Sequence, residues 1–151
     1  MALYQSFRAV RGFVSLLTAV AMAIVVGLGV YITNACKLRA IKGERVFYLD
    51  SNTSQGLRKT ELALRDYARI AGESVHFARG DDSAENIAQE IADRYGAEIL
   101  FTEEAAGVVS YYCYTTEWRG GVALRDQIIN LHIAVGEESC AVGTPIIFGG
   151  F

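Results

Sequence analysis

Five residues in the C-terminal half carry the chemistry of a recognition surface. Tyr112 and Tyr114 fall on one face of a strand-like run, Trp118 follows closely, and Asn130 and His132 share a face of a second run. Aromatic rings stack on sugar faces and peptide groups, while amide and imidazole side chains add directional hydrogen bonds. If the two faces coincide and stay exposed, they suit a glycan or a peptide. The competing reading, and the favoured one, leaves the tyrosines half-buried beneath the helices.

Other chemistry is harder to assemble from these residue types. The two histidines, His76 and His132, lie far apart and lack the HExxH or CxxC surroundings of zinc ligands, so no metal and no cofactor is expected. Ser110 and Cys113 sit inside a strand-like run, without the Gly-x-Ser-x-Gly turn that exposes a nucleophile. Glu103 and Glu104 are adjacent, so in a strand they point to opposite sides, which is poor geometry for shared acid–base work. Arg79-Gly80-Asp81 matches an integrin-type tripeptide, but a turn explains it. The glycines of Arg119-Gly120-Gly121 and Phe148-Gly149-Gly150-Phe151 lack phosphate-loop spacing and its lysine. Cys113 and Cys140 fall in different runs. They either bridge, provided their Cα atoms come within about 7 Å, or stay buried as free thiols. An enzyme is therefore the less expected reading.

The elements that hold these residues follow from periodicity. Arg45 to Leu49 is a short strand, and Asp50-Ser51-Asn52-Thr53-Ser54 is a turn suited to capping a helix. Leu57, Leu64, Tyr67, Ala68 and Ala71 recur at helical spacing, with Gly72 as the stop. Glu73 to Phe77 reads as a strand. Ser83 then opens a second helix with Ile87, Ala88, Ile91, Ala92 and Tyr95 as its apolar stripe, ended by Gly96. Strands follow at Glu98–Phe101, Gly107–Thr115, Ile128–Val135 and Cys140–Phe148, with Pro145 placing the last at a sheet edge or a bulge. The expected fold is α+β: a mainly antiparallel sheet with two helices packed on one face.

The whole chain has 151 residues, 52% hydrophobic and 21% charged, with a formal net charge of −3. Such a composition excludes a disordered chain, and three cysteines and one proline exclude a disulfide scaffold and proline-rich filler. The charge is unevenly spread. Residues 1–45 hold six basic residues against Glu44 alone, a net +5, and residues 46–151 carry −8. A domain that acidic repels phosphate backbones, so no nucleic acid is expected as a partner.

Between Gly12 and Cys36 no charged residue occurs across 25 positions, whereas about 20 apolar residues suffice to cross a bilayer. The chain thus divides into an N-terminal flank (1–11), a transmembrane helix of signal-anchor type (12–36), a basic juxtamembrane segment (37–45) and an acidic α+β domain (46–151). A cleaved signal peptide, or a lipid on Cys36, fits the length and flanking residues less well. Orientation rests on opposing signals. Lys37, Arg39, Lys42 and Arg45 after the span favour a cytoplasmic domain by charge count, while a short leader with Arg8 and Arg11 is the usual layout for a domain outside. The outside placement is preferred.

The segments Ile129–Val135 and Val142-Gly143-Thr144-Pro145-Ile146-Ile147-Phe148 resemble the end of YwmB-type proteins, envelope proteins of Gram-positive endospore formers with a leading apolar segment. That resemblance implies an α+β domain outside the membrane in a cell-envelope or sporulation context, and it carries no catalytic residues. The expectation is a single-pass membrane protein whose outer domain binds a protein or glycan, or serves assembly. The alternatives are an envelope hydrolase or transferase using His132 with Glu103 or Asp126, and a cytoplasm-facing regulatory domain.

Overall fold

The computed structural model describes residues 2–50 and 57–148, with side chains from Gly12 onward. Two compact units follow each other directly in the chain, one ending at Ala35 and the other beginning at Cys36. The first is a single helix, α1 (Ala2–Ala35). Within its stretch Gly12–Ala35 an 18-residue window has a mean hydropathy of 2.5 and none of that window is buried, so the helix is long and apolar enough to cross a membrane. No charged side chain interrupts that stretch. The Thr18 hydroxyl on it is satisfied within the helix, with Oγ1 donating to the Val14 carbonyl at 2.9 Å.

The second unit is α+β. Its strands are β1 (Glu44–Leu49), β2 (Leu57–Lys59), β3 (Ile70–Ala78), β4 (Ala97–Ala105), β5 (Val108–Thr115), β6 (Val122–Leu124), β7 (Gln127–Ile129), β8 (Leu131–Val135) and β9 (Ser139–Thr144). Seven of them form one antiparallel sheet in the order β2-β1-β3-β9-β8-β5-β4, and β6 and β7 form a separate hairpin. Helix α2 (Ala84–Arg94) carries the chain from β3 to the far edge of the sheet. Its start is set by Ser83, whose extended backbone lets Oγ accept the Asn86 N–H at 3.2 Å. Its end follows from Gly96, which takes φ +55°, a conformation that costs other residues strain. Ala88, Ile91 and Ala92 are buried, and Ala88 and Ile91 share one core with Tyr111 and Cys113 of β5 and Leu131, Ile133 and Val135 of β8.

The mixed class and the antiparallel sheet match the sequence pattern, but three elements differ. The helix expected over Leu57–Ala71 is instead β2, a 3-10 helix (Leu64–Arg69) and the start of β3. Leu57 and Leu64, two members of its apolar stripe, are exposed. Asp66, buried at their side, accepts from the Ala63 N–H and from Lys59, so it locks a local turn that competes with a longer helix. The strand expected over Ile128–Val135 is two strands, broken at Asn130. The last strand stops at Thr144, before Pro145, and lies between β3 and β8 rather than at an edge. Ending before the proline is what allows a central place, because no ladder donor is then missing. Of the expected turn at Asp50–Ser54, residues 51–54 lie outside the described residues, as do Gly149, Gly150 and Phe151.

After Thr144 the chain turns back over the sheet face opposite α2. A Cβ on Gly143 would lie 2.7 Å from the Ile147 nitrogen, and one on Gly72 would lie 2.6 Å from the Phe148 ring. Two glycines therefore make room for this tail. Phe148 also meets Tyr48, with centroids 5.1 Å apart.

Candidate functional site

Alternation along β5 sends Tyr111 and Cys113 to the α2 face and Tyr112 and Tyr114 to the other. The same rule on β8 turns His132 toward the Tyr112 face, and the register sets the two residues opposite each other. Their rings stack, centroids 4.5 Å apart and 10° from parallel. On its other side Tyr112 stacks on Phe101 of β4 at 4.6 Å and 22°. The Arg125 guanidinium covers Phe101 at 5.0 Å and pairs with Glu103, whose other oxygen accepts the Tyr112 hydroxyl at 3.1 Å. Arg125, Phe101, Tyr112 and His132 thus form a continuous stack across three strands and the β6–β7 turn.

His132 ends this stack and is half-buried. Its Nδ1 accepts the Ile147 N–H at 3.3 Å, and its Nε2 is buried without a partner among the described residues. Burial, only partly opposed by the Glu103 charge, holds its pKa down at about 4, so the ring is neutral near pH 7. The Tyr112 hydroxyl is pushed above its usual range by burial and by Glu103. Tyr114 stands apart from the stack. It lines a shallow notch of about 270 Å³ with Leu100, Gln127 and Ile128.

Trp118 and Asn130, the other two residues of the expected surface, serve different places. Trp118 packs on the α2 side, against Tyr95 at 5.1 Å and beneath the Lys37 ammonium at 5.5 Å. Asn130 is buried, and its amide clasps the Thr115 backbone: Oδ1 accepts the Thr115 N–H at 2.8 Å and Nδ2 donates to the Thr115 carbonyl at 2.7 Å. It ties the break between β7 and β8 to the end of β5. The five residues therefore do not meet on one face, although Tyr112 and His132 do.

Sequence reading missed Phe101 and Arg125 for a structural reason. Plain alternation would put Phe101 on the same side as Ile99. A bulge between them shifts the register, so Ile99 opposes Cys113 while Phe101 opposes Tyr112. No local signal in the sequence marks that shift.

A second site lies on the α2 face, where the residues after α1 fold into the domain as a strap, Cys36 to Gly43. Leu38 and Ile41 are buried in the core, Leu38 completely, a burial of about 2 kcal/mol for each aliphatic side chain. The Glu73 carboxylate, 1% exposed on β3, accepts the Leu38 N–H. Arg45 donates to the Leu38 and Ile41 carbonyls at 3.0 and 3.4 Å, and Arg94 to the Ala40 carbonyl at 3.3 Å. Lys37 donates to the Arg119 carbonyl at 3.4 Å. Burial raises the pKa of Glu73, opposed by the Leu38 amide and by the nearby Arg45 and Lys37 charges. The segment expected as a basic juxtamembrane stretch is thus the first element of the domain. Between the strap and α2 opens a cleft of about 360 Å³, with Ile41, Phe77, Ile87 and Ile91 as its apolar lining and Lys42, Asp82, Glu90 and Arg94 among its charged groups.

The thiols are free and the two in the sheet are buried. Cys113 opposes Leu131 while Cys140 opposes Val135, so they sit two strands and four residues apart. Strand spacing and rise put their Cα atoms about 16 Å from each other. A disulfide needs about 7 Å, so the bridge left open by the sequence is excluded. Burial pushes the Cys113 thiol up to about 12 and raises Cys140 as well. Ser74 Oγ lies 3.0 Å from His76 Nε2, a pairing the sequence reading did not single out, but Ser74 is fully buried within the sheet. Among the described residues no cluster of three or more His, Cys, Asp or Glu converges on a metal position.

The second unit is thus an α+β domain with an aromatic stack on one sheet face and an apolar, charge-rimmed cleft on the other, preceded by a helix long enough to cross a membrane. Comparison with protein-family models, with curated proteins and with solved structures returned no match.

Proposed function

We propose that this chain is a single-pass membrane-anchored protein whose α+β domain acts as a binding or assembly module outside the cytoplasm, with a protein or glycan as its partner. The observation that carries this reading is the join at Ala35–Cys36: an unburied apolar helix of membrane-crossing length ends where a folded domain begins. The domain's first segment is itself pinned into its core.

Several features support the outer placement. Arg8 and Arg11 in a short leader give the layout of a signal anchor. Lys37 and Arg45, half of the basic residues counted after the span, have partners inside the domain. Their charge has a structural reason independent of topology, which weakens the charge count that favoured a cytoplasmic domain. The resemblance of the last strands to YwmB-type proteins adds an envelope or sporulation context. The hydrolase or transferase alternative asks for His132 at an open cleft with an acid beside it. His132 is instead stacked on Tyr112 and held by Ile147, so the geometry supports binding better.

The test is protease added to intact spheroplasts of cells making the full chain. Digestion of the domain without lysis is the expected result. Protection in intact cells and digestion only after lysis would overturn the outer placement and leave the cytoplasm-facing regulatory reading.

A further inference from the structure

The charges around the cleft between the strap and α2 set the kind of ligand that fits it. Its lining is apolar at Ile41, Phe77, Ile87 and Ile91, and its charged groups are two cations and two carboxylates. Arg94 and Glu90 neutralise each other in an ion pair at 2.8 Å, one turn apart on α2. Lys42 on the strap and Asp82 in the β3–α2 connection are exposed and form no ion pair, with each other or with another described residue. The groups left available are therefore one ammonium and one carboxylate, on different walls of an apolar trough. A ligand with an apolar body and a single charge would leave one of them unanswered. One carrying both charges beside an apolar chain answers both.

We propose that this cleft binds a single-chain zwitterionic amphiphile, a lysophospholipid with an ethanolamine head: its phosphate to Lys42, its ammonium to Asp82 and its acyl chain along Ile41, Phe77, Ile87 and Ile91. The source is the membrane, because Ala40–Lys42 lie only five to seven positions along the chain from the end of the apolar span at Ala35. The inference rests on the membrane-anchored reading for the ligand's source alone, and it adds a lipid site to the module beside its protein or glycan partner. Since one wall of the cleft is the strap itself, an occupant touches both the domain and the segment that leads to the helix.

The experiment uses the full chain in nanodiscs with a palmitoyl lysophosphatidylethanolamine carrying a diazirine on its chain. After illumination, crosslinked peptides are mapped by mass spectrometry. Labelling of α1 reports membrane insertion, and labelling of the peptides containing Ile41 or Ile87 and Ile91 reports the cleft, so failure of the anchor and failure of this proposal give different maps. The expected result is labelling of both regions. The variants Lys42→Glu and Asp82→Lys each lower cleft labelling about fivefold, the loss due to one partly exposed charge contact, and leave α1 labelling unchanged. The lysophosphatidylglycerol analogue, with no ammonium, labels the cleft less than the ethanolamine probe. Excess phosphoethanolamine, the head without a chain, does not compete. Labelling confined to α1, equal cleft labelling by both heads, or indifference to both charge changes would each overturn the proposal. Circular dichroism of the two surface variants confirms that the fold is retained.

Discussion

Lowering the pH should weaken the domain through one identifiable ring. In the folded chain His132 is held at about 4 by burial, against an ordinary value of 6.5 that the unfolded chain recovers. Above pH 6.5 the ring is neutral in both states and contributes no pH dependence. As the pH falls from 6.5 toward 4, the unfolded chain takes up a proton that the folded chain refuses, and stability drops. Below 4 both states are protonated and the loss levels off. At 1.36 kcal/mol for each pKa unit, that gap corresponds to about 3 kcal/mol. The structural consequence is specific, since a protonated Nδ1 can no longer accept the Ile147 N–H that ties the tail to the sheet. His132→Phe keeps a ring on Tyr112 and removes the titration. Urea unfolding of the full chain in detergent micelles, followed by Trp118 fluorescence at several pH values between 7.5 and 4, measures both proteins. The variant starts with an offset from the unpaired Ile147 amide. The wild type then loses about 3 kcal/mol more than the variant between pH 6.5 and 4. Parallel stability curves across that range would refute the assignment of the acid loss to His132.

Three further outcomes follow from the same packing. Glu73→Leu removes the acceptor of the buried Leu38 N–H, lowering stability by about 1–3 kcal/mol, and it loosens the strap, so that the half-buried Cys36 reacts faster with maleimide. Gly143→Ala drives a Cβ against Ile147 and destabilises by about 1–3 kcal/mol, whereas Gly80→Ala meets open space and leaves the melting temperature nearly unchanged. Cys113 and Cys140 stay unmodified by iodoacetamide in the folded protein and react fully in urea, and no bridge between them appears on a non-reducing gel.

Much of this organisation was legible in the residues because it depends on short-range pattern. The uncharged run Gly12–Cys36, the Ser83-to-Gly96 helix with its cap and stop, and the alternation of Leu131, Ile133 and Val135 follow from period and end chemistry within a few residues. Tertiary structure decided what pairs with what. A bulge near Leu100 brought Phe101 beside Tyr112, and register kept Cys113 from Cys140. Asn130 became a clasp on Thr115 instead of a surface group, and the basic strap entered the core through Leu38, Ile41 and Glu73. Apolar periodicity records which side of an element is buried. Which strand lies beside it, and at what offset, is set by backbone hydrogen bonds between residues far apart in the chain, and single-residue spacing carries no mark of that.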